Sequence, residues 1–393
     1  MAAPMRNLFN YAFPLQALGR DLKILFVSNL FASFGDGLTI YLLPLFIRDL
    51  YATPEQVGLL YSVLMLASAT TIIPGGLLAA RYDLKRIMVM GWAVWVPVPL
   101  LFAIATDWTH FIPAMFFYGI LFSGPASSAY IAGRAPEGKM ASTFSTLAAA
   151  WGLGYTFAPS IAGYLTRIIG TKWVFTLTAV FYLITTLMLT LISSQRPQRS
   201  GSHTVEQTTS DPRDFKRRNI VYLSALFGAI MFFISLTAPL VPQFLKDVYG
   251  YDVTLIGVMG SFTYFGGSAL SIVLGKIGDR YGKAAPISAA MIVAAFALSA
   301  FVTVNNFTVL ILVSFLRGAS FPMWAFLGAT VGSSVPASSR AKWISVVQTV
   351  AQTTSILAPY AGGVLYAYLP TTPFFVAIIA SLTLGLLARF MPL

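Results

Sequence analysis

The 393-residue chain has no cysteine, two histidines and only 10% charged residues. The absence of cysteine excludes disulfides and thiol chemistry. With only His110, beside a loop, and His203, in a polar stretch, no histidine cluster can hold a metal. The many serines have no candidate histidine in the apolar segments to activate them, which argues against an enzyme. A Gly-x-x-x-x-Gly-Lys-Ser/Thr phosphate cradle is missing too: "GDRYGKA", Gly278 to Ala284, has the wrong spacing and ends in alanine. Neither an ATPase site nor a cofactor is expected.

What the chain has in quantity is apolar residue, 57% of it, gathered in long blocks. A helix rises about 1.5 Å per residue, so a block of about 20 residues crosses a bilayer core of roughly 30 Å. Twelve blocks qualify, at 24–47, 57–80, 87–106, 111–133, 141–165, 172–192, 220–244, 255–275, 285–304, 307–333, 343–367 and 373–391. They are apolar all round rather than alternating, which excludes a β-barrel. The expectation is an all-α integral membrane protein with twelve transmembrane helices.

The net charge of +12 reports topology rather than a nucleic-acid partner. Both termini and every second connection hold all 25 Lys and Arg residues except Arg48, Arg167, Lys172, Lys246 and Arg317. Cytoplasmic loops retain the basic excess, so both chain ends are expected in the cytoplasm, with the protein multi-pass in the plasma membrane. The first twenty residues show no cleavable signal.

The chain also repeats itself. "LPLFIRDLYATPEQVG" (Leu43 to Gly58) returns as "VPQFLKDVYGYDVTLIG" (Val241 to Gly257), pairing Pro44 with Pro242, Phe46 with Phe244, Asp49 with Asp247 and Tyr51 with Tyr249. "GLLAARYDLKR" (Gly76 to Arg86) returns as "GKIGDRYGKAA" (Gly275 to Ala285), and "APSIAG" (Ala158 to Gly163) as "APYAGG" (Ala358 to Gly363). This divides the chain into a six-helix bundle at 1–192, a polar linker at 193–219 expected on the cytoplasmic surface, and a second bundle at 220–393. Two like-oriented halves enclose a site that rocking exposes to each side in turn, so the repeat points to transport.

These residues resemble the major facilitator superfamily over the whole chain. The family's loop motif, Gly-x-x-x-Asp-Arg-x-Gly-x-Lys/Arg-Lys/Arg, stands in the second half as Gly275, Asp279, Arg280 and Gly282, with Lys283 one place early. In the first half Gly76, Arg81, Lys85 and Arg86 fit, but Ala80 replaces the aspartate and Asp83 the glycine. The resemblance implies a latch between the halves, doubtful in the first copy unless Asp83 substitutes. "GYTFAPSIAG", Gly154 to Gly163, is similar to the family's antiporter element, with Pro159 as its kink. Its small-residue stripe recurs on helix 11 beside Pro359 and Gly363, so plain helix packing is the competing explanation.

Sorting the 13 acids by position leaves only Asp36 at mid-span, and among the bases only Arg317. A charge at that depth costs about 2.5 to 3.5 kcal/mol on insertion scales, so it should face a cavity or a partner. Asn29, Ser33 and Asp36 share a face of helix 1, and Arg317 shares one with Trp324 on helix 10. In the resembling family helices 1, 4, 7 and 10 line the central cavity. The repeat puts Ile234 in the place of Asp36 and Tyr118 in that of Arg317, so the common fold demands neither charge. Many drug exporters of the family carry arginine where Tyr118 stands. Further cavity candidates are Trp151, Tyr155, Tyr264, Gln348 and Gln352. The expected function is proton-coupled export of amphipathic, drug-like molecules, with Asp36 as the proton site and Arg317 tuning it or holding an anionic group. Uptake of a small organic solute and lipid flipping stay open, as does a bare Asp36–Arg317 pair. Expected partners are the small-molecule substrate, protons and lipids, with the chain a monomer.

Overall fold

The computed structural model describes residues 18–137, 139–196, 217–335 and 340–390. Most of the expected linker, 197–216 with His203, Arg199 and Lys216, lies outside the described residues. Among the described residues the chain is helical throughout, in twelve passes. The first six are α1 (Arg20–Asp49), α2 (Pro54–Arg81), α3 (Leu84–Ile104), α4 (Trp108–Arg134), α5 (Met140–Ile169) and α6 (Thr171–Thr190). The second six are α7 (Asn219–Asp247), α8 (Val253–Tyr281), α9 (Ala284–Thr303), α10 (Phe307–Ser334), α11 (340–368) and α12 (Thr372–Phe390). Each expected block is one of these passes, displaced by a few residues at most ends.

Ten of the passes are long and apolar enough to cross a bilayer. The other two are α5 and α11, which pack on α8 and α2 along the seam between the halves. Local chemistry fixes several helix starts. Thr53 and Gln56 form a reciprocal capping box with Pro54 in the first turn of α2. Asp252 and Asn306 accept the backbone N–H of Leu255 and Val309 at 2.9 and 3.2 Å.

Each half has an aromatic core toward the face opposite the termini. In the first half Phe46, Phe102 and Phe175 meet at ring separations of 5.3 and 5.7 Å. Phe244, Phe301 and Phe374 repeat the trio at 5.0 to 5.3 Å, as the pairing of Phe46 with Phe244 implies. One detail of the repeat is corrected. Tyr51 pairs in the sequence with Tyr249, but its left-handed backbone, φ 62°, matches Gly250 at φ 72°.

The halves join at two pseudo-symmetric crossings on the face opposite the termini. Gly257 of α8 packs on the Pro159 carbonyl and Gly163 of α5 on Val253, while Gly58 of α2 packs on the Pro359 carbonyl and Gly363 of α11 on Pro54. No Cβ fits at these four positions, which is why glycine stands there. Ser160 donates to Ser261 at 2.7 Å on one seam, and the Tyr360 N–H donates to Ser62 at 3.2 Å on the other. The stripe of Gly154 and Ala158 turns instead to Ser33, Phe34 and Gly37 on α1, so the small residues of α5 serve two packing faces.

Three ion pairs among the described residues join the halves on the same face: Arg48–Asp247 at 3.2 Å, Lys246–Asp49 at 2.5 Å and Arg167–Asp252 at 3.8 Å. On the terminal face the two loop motifs stay apart. Arg81, Asp279 and Arg280 are exposed, and no hydrogen bond or ion pair among the described residues carries them to the other half. Asp83 caps α3, accepting the Arg86 N–H at 3.1 Å, whereas Gly282 takes a left-handed turn at φ 83°. Gly76 and Gly275 meet nothing where a Cβ would stand. Among the described residues no contact of the expected latch is made, and the substituted first copy has a different turn.

Candidate functional site

Helical breaks at mid-depth shape the site. α4 breaks at 120–123, between Gly119 and the Gly124-Pro125 pair, and α10 tightens into a 3-10 turn at Gly318–Ser320. The loosened backbone of α4 finds side-chain partners: the Trp95 Nε1 donates to the Ile120 carbonyl at 2.9 Å, and the Leu121 N–H to Thr71 at 3.0 Å. These breaks flank a cavity of about 380 Å³ between the halves.

Asp36 lies on its wall, 8% exposed. Its carboxyl group accepts three phenol hydrogens, one from each of three helices of the first half: Tyr118 of α4, Tyr155 of α5 at 2.5 Å and Tyr182 of α6 at 2.8 Å. An ionised carboxylate only accepts, so it satisfies all three phenols at once; a protonated one brings an O–H donor that needs an acceptor of its own. The side chain is thus neither walled off in hydrocarbon nor paired with arginine. It is an acid whose burial is offset by three phenols and which meets the cavity.

Arg317 lines the same cavity from α10. Its guanidinium lies 5.1 Å from the Phe301 ring and approaches the Tyr41 hydroxyl. It makes no ion pair with Asp36, so the expectation that the two merely neutralise each other does not hold in this state. One opposite charge stands on each side of a chamber walled mainly by aliphatic side chains, with Tyr61, Tyr118, Tyr264 and Phe321 among its aromatic members.

The other expected site residues divide. Tyr118 and Tyr264 line the cavity, and Tyr155 reaches it through Asp36 and through a stack on Tyr264 with centroids 4.7 Å apart. Asn29 and Trp151 line a second cavity of about 320 Å³ inside the first half, which also touches Trp95. Ser33 is fully buried and bonded to the Ala150 carbonyl at 3.1 Å, because its face of α1 is taken up by packing on α5. Gln352 bridges the seam by donating to Ser68 at 2.8 Å, and Gln348 and Trp324 are exposed away from both cavities. Sequence reasoning missed Tyr182, the third phenol on Asp36, and Trp95, whose indole supports the α4 break. Neither stands out among 18 tyrosines and 7 tryptophans without knowing which helix faces which.

Two repeated bundles around a charged, largely apolar chamber are the architecture of a membrane transporter. The model of the Major Facilitator Superfamily matches this chain twice, at residues 25–241 and 229–393, and the chain belongs to that family. It is 24% identical to the multi-drug resistance efflux pump PmrA of Streptococcus pneumoniae, over 67% of this chain and 68% of the pump. With multidrug resistance protein 2 of Bacillus subtilis it shares 20% identity over 88% and 89% of the two chains. Among solved structures, the nucleoside transporter NupG superposes with a TM-score of 0.73 at 14% identity, covering 94% of this chain and 98% of that one. A bacterial homolog of the human lysosomal transporter Spinster gives 0.65 at 15% identity, over 95% and 98%. At such identities these likenesses establish the fold alone.

Proposed function

We propose that the protein exports amphipathic, drug-like molecules in exchange for protons by alternating access, with Asp36 as the group that binds and releases the coupling proton. The observation that carries this reading is the position of Asp36, the single mid-span acid, at the edge of the inter-half cavity with its charge supported by three phenols. Such a carboxylate can change charge without unfolding its surroundings, since the phenols accept as well as donate. Arg317 on the opposite wall supplies a fixed positive charge that tunes the chamber or holds an anionic group of the cargo. The efflux relatives support export, and the largely apolar wall suits an amphipathic cargo better than a sugar.

In this reading the terminal face is cytoplasmic, and the ion-paired crossings lie on the outer face. The linker lies on the cytoplasmic side, and one chain suffices because the cavity is complete within it. Asp36→Asn in proteoliposomes is the deciding variant. It should abolish substrate accumulation driven by a pH gradient while leaving counterflow of the same substrate measurable. Undiminished pH-driven accumulation in Asp36→Asn rules Asp36 out as the coupling site.

A further inference from the structure

Of the three phenols on Asp36, two belong wholly to the first half. Tyr118 packs on Trp95 and Phe102, and Tyr182 on Trp92 and Trp95. Tyr155 differs. Its hydroxyl is on Asp36 at 2.5 Å, while its ring lies on Tyr264 of α8 at 4.7 Å and 16° between planes. Tyr264 is stacked in turn on Phe321, at 4.8 Å, directly after the 3-10 turn of α10. One side chain therefore touches both the buried carboxylate of one half and an aromatic pile of the other, in the middle of the α5–α8 seam.

We infer that Tyr155 is a positioning residue that locks the unloaded carrier: ionised Asp36 holds its ring on Tyr264 and so keeps the α5–α8 seam closed until a proton or a cargo molecule releases it. This deepens the proton-coupling reading and rests on it. An exchanger has to forbid the switch of its empty, deprotonated form, because that step would let cargo move without a proton returning. A charge-assisted bond is shorter and stronger than a neutral one, so ionised Asp36 orients the phenol more firmly than protonated Asp36 can. Cargo entering the cavity reaches the same stack from the other side, because Tyr264 and Phe321 line it.

The other ionisable groups facing the carboxylate do not substitute for this link. Tyr61 of α2 makes no hydrogen bond to it, Tyr118 and Tyr182 have no partner in the second half, and Arg317 is turned to Tyr41 and Phe301. Tyr264 makes no hydrogen bond to it among the described residues and is joined to it by contact through Tyr155.

Because the chain has no cysteine, two introduced cysteines report the halves without background. Spin labels at Ser142→Cys and Lys276→Cys, exposed at the terminal ends of α5 and α8, should show two distances whose ratio changes with pH. Tyr155→Phe keeps the ring and loses the bond, while Tyr264→Leu keeps the bond and loses the stack. Each should raise the switched population of the ionised protein about fivefold, because the link is no stronger than its aromatic contact, and flatten the pH dependence. Each should also raise downhill exchange of ethidium in proteoliposomes without a pH gradient and lower its pH-driven accumulation. Thermal stability of Tyr155→Phe within a few degrees of the parent shows that folding is intact. Wild-type pH dependence in both variants, or in Tyr264→Leu alone, overturns the inference. Asp36→Asn in the same labelled background separates the two readings: if its distances still respond to pH as in the parent, the proton assignment itself fails.

Discussion

At the scale of the residue, Asp36 is a charge whose burial is tolerable only because its partners are right. Each phenol bond to an ionised group contributes about 1.5 to 3 kcal/mol, and loss of one is partly offset by water from the cavity. Tyr182→Phe should therefore lower stability by about 1 kcal/mol, read as a fall in melting temperature in detergent, and should weaken pH-driven flux without abolishing it. An unchanged melting temperature would mean that Tyr182 merely fills space. Asp36 was legible in the sequence because a carboxylate amid apolar residues is rare and costly. Tyr182 was not, because a tyrosine is at home anywhere in a membrane helix. Ser33 misled for a related reason: helical periodicity places it on the face of Asp36, but not against which neighbour that face turns.

At the scale of the element, the glycines of α2, α5, α8 and α11 separate by what their missing side chain would meet. Gly257 and Gly58 approach the carbonyls of Pro159 and Pro359 so closely that any Cβ collides with backbone. Gly257→Val should hold the α5–α8 crossing apart, and alkylation of a cysteine placed at the buried Ile256 should then run at least tenfold faster than in the parent. Gly275, a residue of the loop motif, has open space at that position. Gly275→Ala should leave the fold intact and raise stability by about 0.5 kcal/mol, since alanine favours the helix. A large loss of stability there would mean that the loop meets the other half. The stripe on α5 was legible as small residues at helical spacing. Which face of it packs within the half and which across the seam depended on the position of α8.

At the scale of the whole molecule, the halves are joined opposite the termini partly by ion pairs that stand near water. Arg48–Asp247 and Lys246–Asp49 are half exposed, so each is worth about 0.2 to 1 kcal/mol and weakens with salt. The Asp49→Asn, Asp247→Asn double variant should open that face about tenfold more often. The rate at which a thiol reagent reaches a cysteine at Leu45, buried beside the seam, measures it, and in the parent that rate should rise with ionic strength. Equal rates in parent and double variant would mean that these two ion pairs do not hold that face closed. Within the described residues, the sequence by itself determined the twelve helices, the two-fold repeat and the isolation of Asp36 and Arg317, because apolar length, recurrence and misplaced charge are properties of the chain read in order. Only the tertiary structure decided that the two charges do not pair, that three phenols converge on one carboxylate and that Tyr155 touches both halves. Those are distances between helices far apart in sequence, and no local pattern encodes which faces meet when six helices close around another six.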